Sequence, residues 1–196
     1  LNVAIYVYDQ AEVLDFSGPF EVFTTASRVA DGRDPFTTFL VGESGEPVTA
    51  RGGYRVIPAY GFHHHPRIDL LIVAGGVHDP EVGKTRVVRW ISRQARGAQI
   101  VASVCTGAFL LAEAGLLAGH RVTTHWEDIP VLRQMFPGLE VVEGVRWVDE
   151  GKLVTSGGIA AGIEMSLRLV ARLCGDELAA RTARQMDFPY TITLHV

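Results

Sequence analysis

The run Gln99-Ile100-Val101-Ala102-Ser103-Val104-Cys105-Thr106-Gly107-Ala108-Phe109-Leu110 constrains the fold more than any other stretch of this chain. It reads as an apolar, β-branched strand that passes through a turn of small residues straight into a helix, with a cysteine at the bend. Such a turn lifts its central side chain out of the sheet and sets it at a helix N-terminus, where unpaired amides and the helix dipole favour an anion. A thiol there is expected to ionise more easily than the free residue, and the thiolate is the nucleophile. The serine counterpart is the nucleophile elbow G-x-S-x-G. Here Ser103 takes the place of the first glycine.

Around this unit, strands and helices alternate. Strands are expected at Val3–Tyr8, Phe36–Val41, Tyr54–Ile57, Asp69–Ala74 and Arg121–Thr124, with a hairpin over Val145–Thr155 that turns at Glu150-Gly151. Helices are expected from Ser17 or Gly18 to Ala30, Pro80 to Arg96, the cysteine to Leu117, Glu127 to Met135, Ala161 to Cys174, and Asp176 to Met186. The tail from Phe188 to Val196 reads as extended. Repeated β-α units with strands apolar on both sides imply a mostly parallel sheet covered by helices on both faces. With 196 residues and no long linker or repeat, residues 1–196 read as a single domain.

The composition narrows the function. A net charge of −4 leaves no electrostatic footprint of a nucleic-acid binder. No apolar run reaches the roughly 18 residues that span a bilayer, and no signal peptide opens the chain, so a cytoplasmic protein is expected. Of the two cysteines, Cys174 reads as a small buried hydrophobe near the end of a helix, which leaves Cys105 as the candidate thiol. His63-His64-His65 reads as a solvated loop, and the spacing of His, Cys and Asp around it suits no metal. His78 is expected at the surface and His120 in a structural turn. No cofactor is implied.

In open α/β sheets, ligands bind beyond the carboxyl ends of the strands. Three strand ends here carry useful chemistry: Leu14-Asp15-Phe16-Ser17-Gly18-Pro19-Phe20-Glu21, Ala74-Gly75-Gly76, and Cys105-Thr106. Together they can supply a carboxyl group, side-chain-free backbone amides and a thiol at one rim. Simpler roles stand beside these. Asp15 can cap the following helix, Glu21 can be solvated, Gly75 and Gly76 can tighten a loop, and His125 can be packed rather than face a pocket.

As a set, these segments resemble the DJ-1/PfpI superfamily, in the branch of isonitrile hydratases and of the amino-terminal domains of certain AraC-type regulators. The resemblance runs through Asp15-Phe16-Ser17-Gly18-Pro19, Ala74-Gly75-Gly76, Ser103–Ala108, Ala114–Gly119, Thr123-Thr124-His125-Trp126 and Thr155–Gly162, in the family's order. It implies a flavodoxin-like three-layer α/β sandwich, a mostly parallel sheet with a cysteine nucleophile elbow, and a homodimer. In the hydratases, the D-x-x-G-P aspartate (here Asp15) lies beside the nucleophile, and a threonine (here Thr106) follows the cysteine. The implied catalytic residues are therefore Cys105, Asp15 and Thr106. The backbone at Gly75, Gly76 and Thr106 is expected to steady developing charge. Phe16, His125, Trp126 and Ile159 are expected to shape a small-molecule pocket. Three departures separate the chain from other branches. Thr106 stands where the PfpI peptidase-like branch has a histidine. Asp15 stands in for the glutamate that the DJ-1 branch sets against its cysteine. The later His-x-Glu pair of class I glutamine amidotransferases is missing from the sequence.

Isonitrile hydration, ligand sensing without turnover, and detoxification of aldehydes such as methylglyoxal are the three functions compatible with this pattern. The regulators carry a helix-turn-helix region after this fold. The chain ends at Val196, which favours a stand-alone protein.

Overall fold

The computed structural model describes residues 1–32 and 34–189. Its strands are β1 (Asn2–Tyr6), β2 (Thr37–Val41), β3 (Val48–Thr49), β4 (Arg55–Val56), β5 (Leu70–Val73), β6 (Ile100–Val104), β7 (Arg121–Val122), β8 (Glu140–Val141), β9 (Trp147–Glu150) and β10 (Leu153–Ser156). The helices are α1 (Val13–Val29), α2 (Asp79–Val82), α3 (Thr85–Gly97), α4 (Gly107–Glu113), α5 (Ile129–Met135), α6 (Ala161–Cys174) and α7 (Asp176–Gln185). The main sheet has the order β2-β1-β5-β6-β10-β9. All its pairings are parallel except β10 with the edge strand β9. The expected hairpin turn at Glu150-Gly151 joins these two strands.

The β5 and β6 segments Leu-Leu-Ile-Val and Ile-Val-Ala-Ser-Val are buried throughout, as strands covered on both faces must be. Helices α1, α6 and α7 pack together, as do α2, α3 and α4, giving three layers. From β1 the chain turns out to β2 and later returns to β5 on the other side of β1. That reversal opens a crevice beyond the carboxyl ends of β1 and β5, the usual ligand position in such sheets.

Several expected boundaries move. Strand β1 ends at Tyr6, ahead of Tyr8, β7 ends at Val122, and α5 starts at Ile129. Helix α1 starts at Val13, ahead of Ser17, so Pro19 lies inside it and Asp15 sits in its first turn. The expected helix Pro80–Arg96 is split into α2 and α3, since Gly83 and Lys84 break the helical run. The expected α4 stops at Glu113, short of Leu117. Of the tail Phe188–Val196, residues 190–196 lie outside the described residues. Cys174 is exposed, against expectation: it is the last residue of α6, where the chain leaves the sheet for α7.

Close packing under the cysteine turn depends on a side chain that is missing. A Cβ built on Gly162 of α6 would lie 2.8 Å from Val104 Cγ1 and 3.0 Å from Val104 Cγ2. Val104 is fully buried and immediately precedes Cys105. Overpacking here is expected to make Gly162→Val less stable by ~1–3 kcal/mol, read as a lower urea midpoint with an unchanged m-value.

Candidate active site

Cys105 turns the chain out of β6 with φ +55°, a left-handed conformation that non-glycine residues take at a cost of order 1–3 kcal/mol. The surroundings hold it there. Its N–H is shared between Ser156 O and Gly157 O at 3.2 Å each, and its carbonyl accepts from Thr124 Oγ1 at 2.8 Å. Thr106 then leads into α4. The elbow expected from the sequence is therefore present, clamped from both sides.

Asp15 reaches this turn from the first turn of α1. It is fully buried and does not cap its own helix. Its Oδ2 accepts from Gly75 N at 3.1 Å and its Oδ1 from Ile159 N at 3.1 Å. Burial raises the acid to about 7, against these two amides and the nearby Cys105 thiol, which favour the charged form. Ile159, a β-branched residue, is held at φ +56°. Two backbone outliers thus lie on either side of one buried carboxyl, the kind of clustering seen where strain serves a site.

Gly75 brings the parts together. A Cβ there would sit 2.6 Å from Thr106 N, 2.7 Å from Asp15 Oδ2 and 2.8 Å from Cys105 Cβ. No side chain fits among acid, thiol and elbow amide.

Two expectations are corrected here. The thiol does not ionise more easily than a free cysteine. Burial pushes it well up, the Asp15 charge adds to this, and the Thr106 amide and hydroxyl only partly offset it. Cys105 is 8% exposed, so loss of hydration outweighs the start of a short helix. The amides of Gly75 and Gly76 do not face a ligand either. Gly75 N–H is committed to Asp15. Gly76 N–H donates to Thr106 Oγ1 at 2.9 Å, and that hydroxyl donates back to Gly76 O at 2.9 Å. The strand-end glycines fix the acid and the threonine, and the Thr106 amide is the backbone group that favours a charged sulfur.

Asp15, Cys105, Thr106, Gly75, Gly76 and Ile159 are therefore brought together. His125 stands beside them, largely covered. Its ring fills the space that a Gly158 side chain would need, and its Nδ1 is 3.4 Å from Asp128 Oδ2. Trp126 is 73% exposed and projects to solvent. Phe16 is packed into the core, its ring centroid 6.4 Å from that of Tyr54. His78 is less exposed than expected, lying against Phe109 at 4.2 Å between centroids. In the histidine loop, His63 and His64 are exposed, whereas His65 Nε2 accepts from Trp90 Nε1 at 3.2 Å. Among the described residues, no group of three or more His, Cys, Asp or Glu is placed to hold a metal ion, and no helix is long and apolar enough to cross a membrane.

Sequence reasoning missed Thr124, Tyr8 and Glu81. Thr124 clamps the elbow. Glu81 is the centre of a buried polar group: Tyr6 Oη donates to Glu81 Oε2 at 2.6 Å, and Lys84 Nζ to Glu81 Oε1 at 2.5 Å, with the Tyr8 ring stacked on Tyr6 at 5.6 Å between centroids. The available signal was Tyr6 in the apolar run of β1, since a phenol on a buried strand needs a partner.

Comparison with known proteins fits this geometry. The DJ-1/PfpI family matches residues 1–172. The chain belongs to the DJ-1/PfpI family. It is 33% identical to an isonitrile hydratase of Pseudomonas putida over 190 residues, covering 96% of this chain and 78% of that protein. It is 31% identical to the HTH-type transcriptional regulator CdhR of Pseudomonas aeruginosa over 173 residues, covering 88% of this chain and 51% of the regulator. The chain thus spans about half of that regulator's length. The crystal structure of a ThiJ/PfpI family protein from Pseudomonas syringae superposes with a TM-score of 0.85 at 25% identity, covering 98% of this chain and 77% of that one.

Two outcomes follow for the site. Gly75→Ala is expected to slow alkylation of Cys105 by iodoacetamide at least ~10-fold, because the methyl group displaces acid and elbow together. The second concerns pH. The folded-state pKa of Asp15 is raised, so its stabilising share is complete below about 4 and is lost as pH rises to about 7. By ~1.4 kcal/mol per pH unit, that share is of order 4 kcal/mol. The Tm of the wild type should therefore fall between pH 4 and pH 7 relative to Asp15→Asn, and run parallel to it above.

Proposed function

We propose that this chain is a cysteine-dependent, isonitrile hydratase-like enzyme that converts an isonitrile into an N-substituted formamide. The observation that carries the reading is the buried Asp15 carboxyl, pinned by two backbone amides beside Cys105, with acid and cysteine both crowding Gly75. It is supported by the likeness to the Pseudomonas putida hydratase over nearly the whole chain.

The chemistry runs as nucleophilic catalysis with a paired acid–base. Sγ attacks the terminal isonitrile carbon as Asp15 takes the thiol proton. Asp15 delivers that proton to the same carbon, giving a thioimidate, R–N=CH–S–Cys105. Water then adds to the carbon, with one proton passing through Asp15 to nitrogen. The C–S bond breaks, the sulfur recovers a proton, and R–NH–CHO leaves. Isonitrile plus water equals formamide, and no cofactor is consumed. The raised thiol pKa suits this scheme: the proton leaves as the S–C bond forms, and Asp15, poised near 7, can both accept and return it. The Thr106 amide stabilises charge on sulfur. His125 and Ile159 border the pocket, with Phe16 behind Asp15 and Trp126 at its outer edge. The reading includes a homodimer acting on a small molecule in the cytoplasm, with no nucleic acid or membrane partner.

The regulator likeness favours one other reading, a sensor that binds a small molecule at this site without turnover. Formamide production from simple alkyl and aryl isonitriles separates the two. We expect turnover whose kcat/KM rises with pH around 7 as Asp15 ionises. Cys105→Ala should abolish it, and Asp15→Asn should lower it ~10²–10⁴-fold. Binding of isonitriles without product, or full activity in Cys105→Ala, overturns the enzymatic reading. Lactate from methylglyoxal in its place would redirect it to aldehyde detoxification.

A further inference from the structure

Two peptide groups fix the shape of the cysteine turn. The one before Cys105 is held through its N–H, shared between Ser156 O and Gly157 O at 3.2 Å each. The one after it is held through the Cys105 carbonyl, which accepts from Thr124 Oγ1 at 2.8 Å and more loosely from Ala108 N at 3.3 Å. Pinning the peptide on each side of one residue fixes its φ and ψ, and Cys105 is held at φ +55°. The Ala108 bond belongs to the start of α4. The Thr124 bond is tertiary and comes from 19 residues further along the chain.

Thr124 is itself firmly placed. It is buried just after β7, and the residue before it, Thr123, donates its N–H to Thr155 Oγ1 of β10 at 2.8 Å. A valine would fill the same space, so packing alone gives no reason for a hydroxyl that costs free energy unless it is bonded. The reason lies at the other end of the peptide it holds. Carbonyl and N–H point in opposite directions across a planar trans peptide, so fixing Cys105 O also fixes the direction of the Thr106 N–H. Thr106 N lies on the Gly75 side: a Cβ built on Gly75 would meet it at 2.6 Å, together with Asp15 Oδ2 at 2.7 Å and Cys105 Cβ at 2.8 Å. The amide thus lies among acid and thiol. A donor on the carbonyl also polarises the peptide and strengthens its N–H as a donor.

We propose that Thr124 is a positioning residue for the nucleophile: its hydroxyl holds and polarises the Cys105–Thr106 peptide, so that the Thr106 N–H stabilises the negative charge forming on Cys105 Sγ. Burial, Asp15 and Asp128 all oppose that charge, and the Thr106 amide and hydroxyl favour it. The Thr106 hydroxyl is engaged with both the N–H and the carbonyl of Gly76. The amide is therefore the group whose strength a distant residue can tune, and Thr124 bonds the peptide that carries it. This role concerns the thiol itself and does not depend on which substrate the enzyme takes.

The test compares Thr124→Val, Thr124→Ser and Thr124→Ala in the full chain. The rate of Cys105 alkylation by iodoacetamide is measured well below the Tm of each variant, with alkylation at the exposed Cys174 resolved by peptide mass. We expect Thr124→Val to react ~10-fold more slowly than the wild type, the effect of one buried hydrogen bond, and Thr124→Ser to stay within ~3-fold of it. Thr124→Ala and Thr124→Ser have both lost the methyl group and differ by the oxygen alone, so this pair carries the comparison if Thr124→Val does not fold, with Ala the slower by ~10-fold. A merely structural Thr124 would lower the Tm and leave the rate of the folded protein unchanged, or raise it as a loosened turn uncovers the sulfur. Either rate overturns the proposal, as does a Ser variant as slow as Val or Ala. Because alkylation needs no isonitrile, the two readings fail separately. Isonitrile turnover with alkylation rates indifferent to the hydroxyl sinks this inference alone, and the expected slowing without turnover sinks the hydratase reading alone.

Discussion

A carboxyl group taken wholly out of water and set against a thiol is the constraint on which this site depends. Asp15 keeps its place because Gly75 and Ile159 each aim an amide at one of its oxygens. Those two amides come from opposite ends of the fold, one after β5 and one just before α6. The acid therefore ties three segments of chain together. Burial and bonding act in opposite senses on its proton, and the balance near 7 leaves it able to work in both directions.

The same burial explains why the cysteine departs from the pattern of a low-pKa thiol at a helix start. A helix N-terminus favours an anion only where the charge is not otherwise penalised. Here desolvation and a neighbouring acid outweigh that term. In the proposed reaction, proton transfer is concerted with bond formation, so the positions of nearby donors and acceptors matter more than the resting charge. Strain at Cys105 and Ile159 is borne by a rigid frame of buried strands, since neither conformation would persist in a free loop.

Small residues recur wherever acid, thiol and helix crowd together. Gly75 admits the acid beside the elbow, and Gly162 lets α6 close on Val104. Gly158 leaves room for the His125 ring. In a sequence Gly75 and Gly158 look like loop glycines, and Gly162 like an ordinary residue of a helix. Their necessity is visible only when the atoms facing them are known, because a missing side chain leaves no pattern of its own.

From the chain alone, the alternation of apolar strands with helices determines a parallel α/β sandwich, and the small-residue bend after β6 determines which side chain is lifted out. Asp15, Cys105, Thr106 and the two glycines could be picked out the same way, because strand ends are where such sheets keep their chemistry. Tertiary structure alone decided what those residues do to one another. The Gly75 and Gly76 amides turned inward, and Asp15 came to accept rather than cap. Each depends on contacts between residues distant in sequence, such as Asp15 with Ile159, and on burial, which sets the cost of charge. Neither quantity is encoded in local periodicity.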